Sequence, residues 1–254
     1  DGVTSAIQTQ LDAKATNEDG LSDALVEDNS MYVGSDPSNT TSSAEYNISL
    51  GSTSLDAITT GDANVSIGYN ALTANTTGSG NTAYGRSSLS SNTNGNYNVA
   101  QGSWSLRDNT SGDFNVGVGN SSLRDNTSGS NNTAIGKSSS QAITTGDDNV
   151  TLGFQAGNAL TTGSNNVIIG SDSDPSADNA SNQTVIGYGA TGVENNSVTI
   201  GNSNVTAWYP GSDDTADLGS SSVEFKDLYI DGTANLDAVD IDGGAIDGAA
   251  IGAN

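Results

Sequence analysis

Asparagine and glycine recur along this chain in one frame, Asn-x-x-x-Gly, at Asn47–Gly51, Asn64–Gly68, Asn81–Gly85, Asn98–Gly102, Asn115–Gly119, Asn132–Gly136, Asn149–Gly153 and Asn166–Gly170, always 17 residues apart. Gly34 and Gly187 extend the register with Ser30 and Gln183 in place of the asparagine, and Ser197–Gly201 follows after 14 residues. A second glycine column (Gly61, Gly78, Gly95, Gly112, Gly129, Gly146, Gly163) and a leucine column (Leu55, Leu72, Leu89, Leu106, Leu123) keep the same period. Three columns in phase over this length mean a stack of equivalent units, each able to bury its small apolar face only against its neighbours.

Each unit reads as one coil of a parallel β-solenoid. In Asn64-Val65-Ser66-Ile67-Gly68 the apolar residues alternate with a small one, which is strand periodicity. Val65 and Ile67, with Val116/Val118, Val150/Leu152 and Val167/Ile169, are expected to point into the core. Ser66, Ala83, Ala100, Gly117 and Ala134 then form an opposite face small enough for another backbone to approach. The second half of a unit, Ala71-Leu72 then Asn75-Thr76-Thr77-Gly78, reads as a short strand and a turn, with Gly78 supplying positive φ. About three apolar side chains per coil, worth roughly 1.5–3 kcal/mol each, do not offset the ordering of a whole coil at about 1–2 kcal/mol per residue. Stacking, and burial of the small-residue face against further copies, is expected to supply the balance.

Composition excludes other classes. Only 33% of residues are hydrophobic, too few for one thick core. Lys and Arg number 6 against 30 acids, a formal charge of −24, so neither nucleic acid nor an anionic membrane surface is an expected partner. Such a charge suits a salty medium that screens self-repulsion. Most acids are Asp, suited to turns. The chain has no Cys and no His, which removes disulfides, thiolate chemistry and imidazole ligands. No apolar run is long enough to span a bilayer, so no membrane insertion is expected. A first residue of Asp1, and an end at Asn254 in mid-pattern, lead to the expectation of a fragment or processed product.

The flanks differ from the repeat. Val3, Ile7 and Leu11, then Leu21 and Leu25, suit two short helices, so residues 1–29 are expected to be a helical connector or neck. Residues 30–204 are the β-roll and 205–233 a β-rich connector. Leu236, Ile241, Ile246 and Ile251 recur every five residues, making 234–254 a pentapeptide-like β segment, or the continuation of a trimeric β-prism, truncated at the end of the chain.

Units such as Asn132-Thr133-Ala134-Ile135-Gly136 and Asn149-Val150-Thr151-Leu152-Gly153 resemble the head repeats of trimeric autotransporter adhesins, which also occur in bacteriophage tail fibres; the resemblance covers about residues 30 to 201. It implies an all-β homotrimer of parallel β-rolls around a three-fold axis. Residues 3–14 look like a helical connector of phage fibres, 215–230 resemble a segment near the C-terminal part of tail fibres, and 240–248 look like structural proteins of marine phages. The function so implied is that of a structural virion fibre segment, a rigid extracellular spacer that contributes to host attachment. Its partners would be its own copies, other virion tail proteins, and a host surface glycan or protein. The alternative is a bacterial trimeric adhesin passenger, and a polysaccharide-degrading tailspike ranks lower.

Candidate sites are few. Asp172, Asp174 and Asp178 share a loop that would suit Ca²⁺, but EF-hand spacing is absent and a solvated loop is the better reading. Asp213, Asp214 and Asp217 read the same way. Carboxylate pairs would suit a glycosidase, but with 30 acids some lie close by composition alone, and a thin roll offers no deep cleft, so no enzyme and no cofactor are expected. Tyr97 and Phe114 share a column with Trp104 nearby, a candidate glycan contact whose plainer reading is rings that shield neighbouring rungs. Arg107 and Arg124 share a column, as do Asp108 and Asp125, which predicts diagonal ion pairs. The column Tyr69, Arg86, Ser103, Asn120, Lys137 is too mixed for the flat threonine array of an ice-binding solenoid.

Overall fold

Triplets centred on a small residue set the rungs of the structure. The computed structural model describes residues 24–27, 29–34, 37 and 43–209, together with 218, 220, 222–223, 225–226 and 229–231. Among these residues twelve strands form one sheet in strict chain order. They are β1 (Ala24–Glu27), β2 (Ser30–Val33), β3 (Ile48–Leu50), β4 (Val65–Ile67), β5 (Thr82–Tyr84), β6 (Val99–Gln101), β7 (Val116–Val118), β8 (Thr133–Ile135), β9 (Val150–Leu152), β10 (Val167–Ile169), β11 (Thr184–Ile186) and β12 (Val198–Ile200). From β2 to β12 every pair is parallel, as in Val116↔Thr133, a shift of one 17-residue unit. This is the parallel β-solenoid that the repeat predicted, of about ten coils.

Each coil has one strand, not two. The half around the leucine column forms turns, because Asn70 and Leu72 sit at φ 56° and 48°, in the left-handed region. Its backbone still bonds to the next rung, with Leu72 N donating to Ser88 O at 3.0 Å and Leu106 N to Ser122 O at 2.9 Å. Hydrogen bonding between coils therefore continues without β geometry.

The two faces of the strand are the reverse of the expectation. The middle residues point into the coil: Ser49, Ser66, Ala83, Ala100, Ala134, Ile168 and Val185 are all fully buried. The Val/Ile pairs point outward, with Ile48, Ile135, Val150 and Leu152 each about 40% exposed or more. The reason is the width of the coil. The strand faces the leucine wall at such short range that a Cβ on Gly117 would sit 2.5 Å from Ser105 Oγ. Only a small residue fits between.

Interior volume is held roughly constant along the roll. Leu55, Leu72, Leu89, Leu106 and Leu123 face Ser, Ala or Gly. Where the leucine column changes to Gly157, a Cβ there would meet Thr151 Cγ2 at 2.8 Å and Ile168 Cδ1 at 3.4 Å, so the strand side grows into the space. Ile143 and Leu160 add to the same stretch from another wall. Close packing demands such exchange, since voids and overlaps both cost.

The two glycine columns serve different needs. Gly51 through Gly187 in the first column take φ of +131° to +140°, a region closed to residues with a Cβ. The second column, expected to supply positive φ, does not. It is there for close approach: a Cβ on Gly95 would lie 2.5 Å from Gly112 O and 2.9 Å from Asn109 Nδ2.

Left-handed backbone is frequent, and three non-glycine columns use it. The buried leucines sit at φ 48° to 55°, where burial worth roughly 1.5–3 kcal/mol outweighs a strain of about 1–2 kcal/mol. Ala63, exposed at φ 56°, has no such compensation. Ala63→Gly should therefore raise stability by roughly 0.5–1 kcal/mol, read as a shift of the denaturant midpoint without a change in slope.

At the N-terminal end β1 pairs antiparallel with β2. Leu25, expected on a second short helix, lies in this strand, paired with Tyr32. The first expected helix, at residues 3–14, lies outside the described residues. A second compact unit begins at Ala207; its described residues form no strand, and segment 234–254 lies outside them.

Candidate functional site

Reversal of the faces places the candidate functional surface on the outside of the sheet. Strands β2 to β12 each present two outward residues. One column reads Met31, Ile48, Val65, Thr82, Val99, Val116, Thr133, Val150, Val167, Thr184, Val198. The other reads Val33, Leu50, Ile67, Tyr84, Gln101, Val118, Ile135, Leu152, Ile169, Ile186, Ile200. No position carries a charge, in a chain of net charge −24. At ~4.8 Å per rung the strip is on the order of 50 Å long. An apolar strip of that size is uncommon on the surface of a soluble monomer, which makes it the candidate interaction face.

The flanks of the strip differ in charge, one acidic and the other carrying the cations. Where the chain enters the strands stand Glu45, Asp62, Asp113, Asp147 and Asp148. Several also tie rungs together: Asp62 Oδ1 accepts from Glu45 N at 2.8 Å, Asp113 Oδ1 from Asn96 N at 2.6 Å, and Asp147 Oδ1 from Ser130 N at 2.7 Å. Where the chain leaves the strands stand Arg86 and Lys137, with exposed Asp172 the acid on that side after β10; each cation lies over an aromatic ring, 5.5 Å from the Trp104 centroid and 5.7 Å from that of Phe154. Neither forms an ion pair among the described residues.

Behind the strip, buried amides hold the rungs in register. Asn115 Oδ1 accepts from Asn132 N at 3.0 Å and Nδ2 at 3.2 Å, while Asn115 Nδ2 donates to Gly129 O at 2.8 Å. The pattern runs from Asn47 to Asn166, and Ser30 Oγ and Gln183 N close its two ends. A second ladder, Asn75, Asn92, Asn109 and Asn126, ends bare, because Ile143 follows and Asn126 Oδ1 has no partner among the described residues. Asn115→Ala orphans the buried Asn132 N–H, and should cost roughly 1–3 kcal/mol in chemical denaturation.

The residues singled out from sequence fall in several places. The glycines from Gly51 to Gly187 form the backbone column already described, inseparable from the fold. Tyr97 and Phe114 do stack, centroids 5.2 Å apart and planes 8° from parallel. The Tyr97 ring also lies against Gly80 on the preceding rung, where a Cβ would meet it at 2.6 Å. Both of its neighbours on the column are therefore occupied, which suits shielding of the rungs better than a free platform for a sugar ring. Trp104 lies beyond the other end of β6 and carries Arg86, so the three rings do not form one patch.

Asp172, Asp174 and Asp178 are not gathered either: among the described residues no three acidic side chains are placed to hold a metal ion. Asp174 Oδ1 instead accepts from Ala159 N at 2.9 Å. Asp213, Asp214 and Asp217 lie outside the described residues. Arg107 pairs first with Asp108 in its own rung (Nε–Oδ1 2.7 Å, Nη2–Oδ2 2.5 Å), and only at 3.9 Å with Asp125 across the rung, where diagonal pairing had been expected. The neighbouring carboxylate is close enough to chelate the guanidinium, and its hydrogen bond holds Arg107 above the ordinary arginine range, as Asp125 does for Arg124.

A regular threonine column, missed from sequence, runs from Thr59 to Thr161. Each hydroxyl donates to a carbonyl of the next rung, as Thr110 Oγ1 does to Thr127 O at 2.8 Å, so these donors are committed within the roll. No helix among the described residues is long and apolar enough to cross a membrane. Comparison of the chain with protein-family models, with curated proteins and with solved structures gives no match.

Proposed function

We propose that this chain is a rigid segment of an extracellular fibre, a homotrimeric tail-fibre spacer of a virion that contributes to host attachment. The observation that carries the reading is the uncharged outer strip. An apolar face running the length of the roll is covered when copies stand side by side around a common axis, each turning its strip inward. That replaces the small-residue face as the surface of association, since the small residues are spent inside the coil. A trimer of rolls is a stiff rod, stacked at ~4.8 Å per rung and on the order of 50 Å long, suited to hold a tip at a distance. The adhesin-like repeats support the same architecture, and the high acidic charge left on the outside keeps such a rod soluble.

Negative-stain electron microscopy of the purified chain tests this. Class averages should show rods whose end-on views have three lobes. Single-lobed particles of one roll's width would overturn the reading.

A further inference from the structure

The outer strip holds one amide. Among the outward positions of β2 to β12, Gln101 on β6 alone carries two N–H donors and a carbonyl acceptor; the other polar groups are the single hydroxyls of Thr82, Tyr84, Thr133 and Thr184. Its neighbours along the column are Tyr84 on one rung and Val118 on the other, and Val99 shares its strand. We propose that Gln101 is the register key of the assembly, forming with its counterparts a closed polar layer that fixes the copies parallel and flush. This rests on the self-association proposed above and specifies its geometry.

Two independent features select the same arrangement. The first is the position of Gln101. In a flush parallel assembly each Gln101 faces the other Gln101 amides, which satisfy one another. A slip of one rung sets it against Tyr84 or Val118. Reversing one copy with full overlap of β2 to β12 brings β6 opposite β8, where Gln101 meets Thr133 and Ile135. Each alternative buries amide groups against side chains that cannot pair them fully, a penalty that specifies register more than it adds stability.

The second feature is the sign of the flanks. Parallel copies around an axis bring the exit flank of one against the entry flank of the next, so Arg86 and Lys137 meet the acidic side. Arg86 follows β5 and Asp62 precedes β4; Lys137 follows β8, with Asp113 before β7 and Asp147 before β9. Each cation thus stands within one rung of a carboxylate on the neighbouring copy. An antiparallel pair would set the acidic flank against itself, at a cost in repulsion.

The test uses spin labels on the full chain, which has no native cysteine. Thr60→Cys places a label on an exposed turn away from the strip and near one end of the roll. Dipolar distance measurement should give one narrow distance in this background. Adding Gln101→Ile, an outward change that leaves the coil interior alone, should keep the copies associated. It should split the distribution into several distances, as copies slip by rungs of ~4.8 Å. A single unchanged distance after Gln101→Ile would overturn Gln101 as the key. A long distance in the parent, tens of ångströms along the axis, would overturn the parallel arrangement. Absence of any coupling between copies in the parent would overturn the self-association itself.

Discussion

Ala134→Asp should break the roll. Ala134 is the middle residue of β8 and fully buried, with its carbonyl accepting from Ser122 Oγ at 2.8 Å. The larger side chain overpacks a coil that has no spare width, at about 1–3 kcal/mol. Its carboxylate has no cation inside the coil, since the arginines and lysine of the roll all lie at its surface. Leaving a charge buried and unpaired costs several kcal/mol more. Together these approach the whole stability of an ordinary domain, about 5–15 kcal/mol. Because each coil depends on its neighbours, the damage should centre on β7 to β9 and part the stack there. The expected result is loss of cooperative thermal unfolding by circular dichroism, with new proteolytic cleavage between the Gly119 and Asn149 rungs. Ala134→Ser should be nearly neutral, as Ser49 and Ser66 already hold the equivalent place.

The next residue along should behave in the opposite way. Ile135 points outward and is 41% exposed, so Ile135→Asp removes little from the coil of its own chain. In an assembly built on the strip, the same change gathers carboxylates from several copies on an apolar axis. Like charges about 4 Å apart repel by roughly 4 kcal/mol in a surface-like dielectric, and every 1.4 kcal/mol is tenfold in association. The expected result is a fall in solution mass from three chains to one, with the circular dichroism spectrum unchanged. Retention of the full mass would show that the strip is not the surface of contact. Two neighbouring substitutions, one unfolding and one only dissociating, give the face assignment an experimental form.

That assignment is also where sequence reasoning fell short. The period, the glycine columns and the strand triplets were legible because each is a constraint on every rung: Gly102 at φ +135° tolerates no other residue. Alternation in Val65-Ser66-Ile67 gives the spacing of a strand but not which side is inside. The usual rule, large apolar residues inward, presumes an interior wide enough to hold them. Here a leucine held at φ near +50° already fills it, and leucine in that region is not expected from propensity.

A better signal was present in the second asparagine column, where Ile58 precedes Asn75 and Ile143 and Leu160 follow Asn126. A position that accepts both amide and aliphatic residues at fixed period is a buried one. The asparagine there is a ladder member as well as a turn residue, its Nδ2 also donating to the glycine carbonyl three residues on. The need for glycine at Gly78 and its equivalents was hidden because much of what crowds them, the carbonyl above all, comes from the next rung. The acids were hard to place because their role is split. Asp62, Asp113 and Asp147 tie rungs together through backbone N–H groups and also give one flank its charge.

The account stands most directly on the solution mass of the purified chain, by light scattering across a dilution series. It predicts a stable mass near three times 25.4 kDa. A folded particle of one chain at every concentration would contradict it, for then the uncharged strip meets solvent or a different partner.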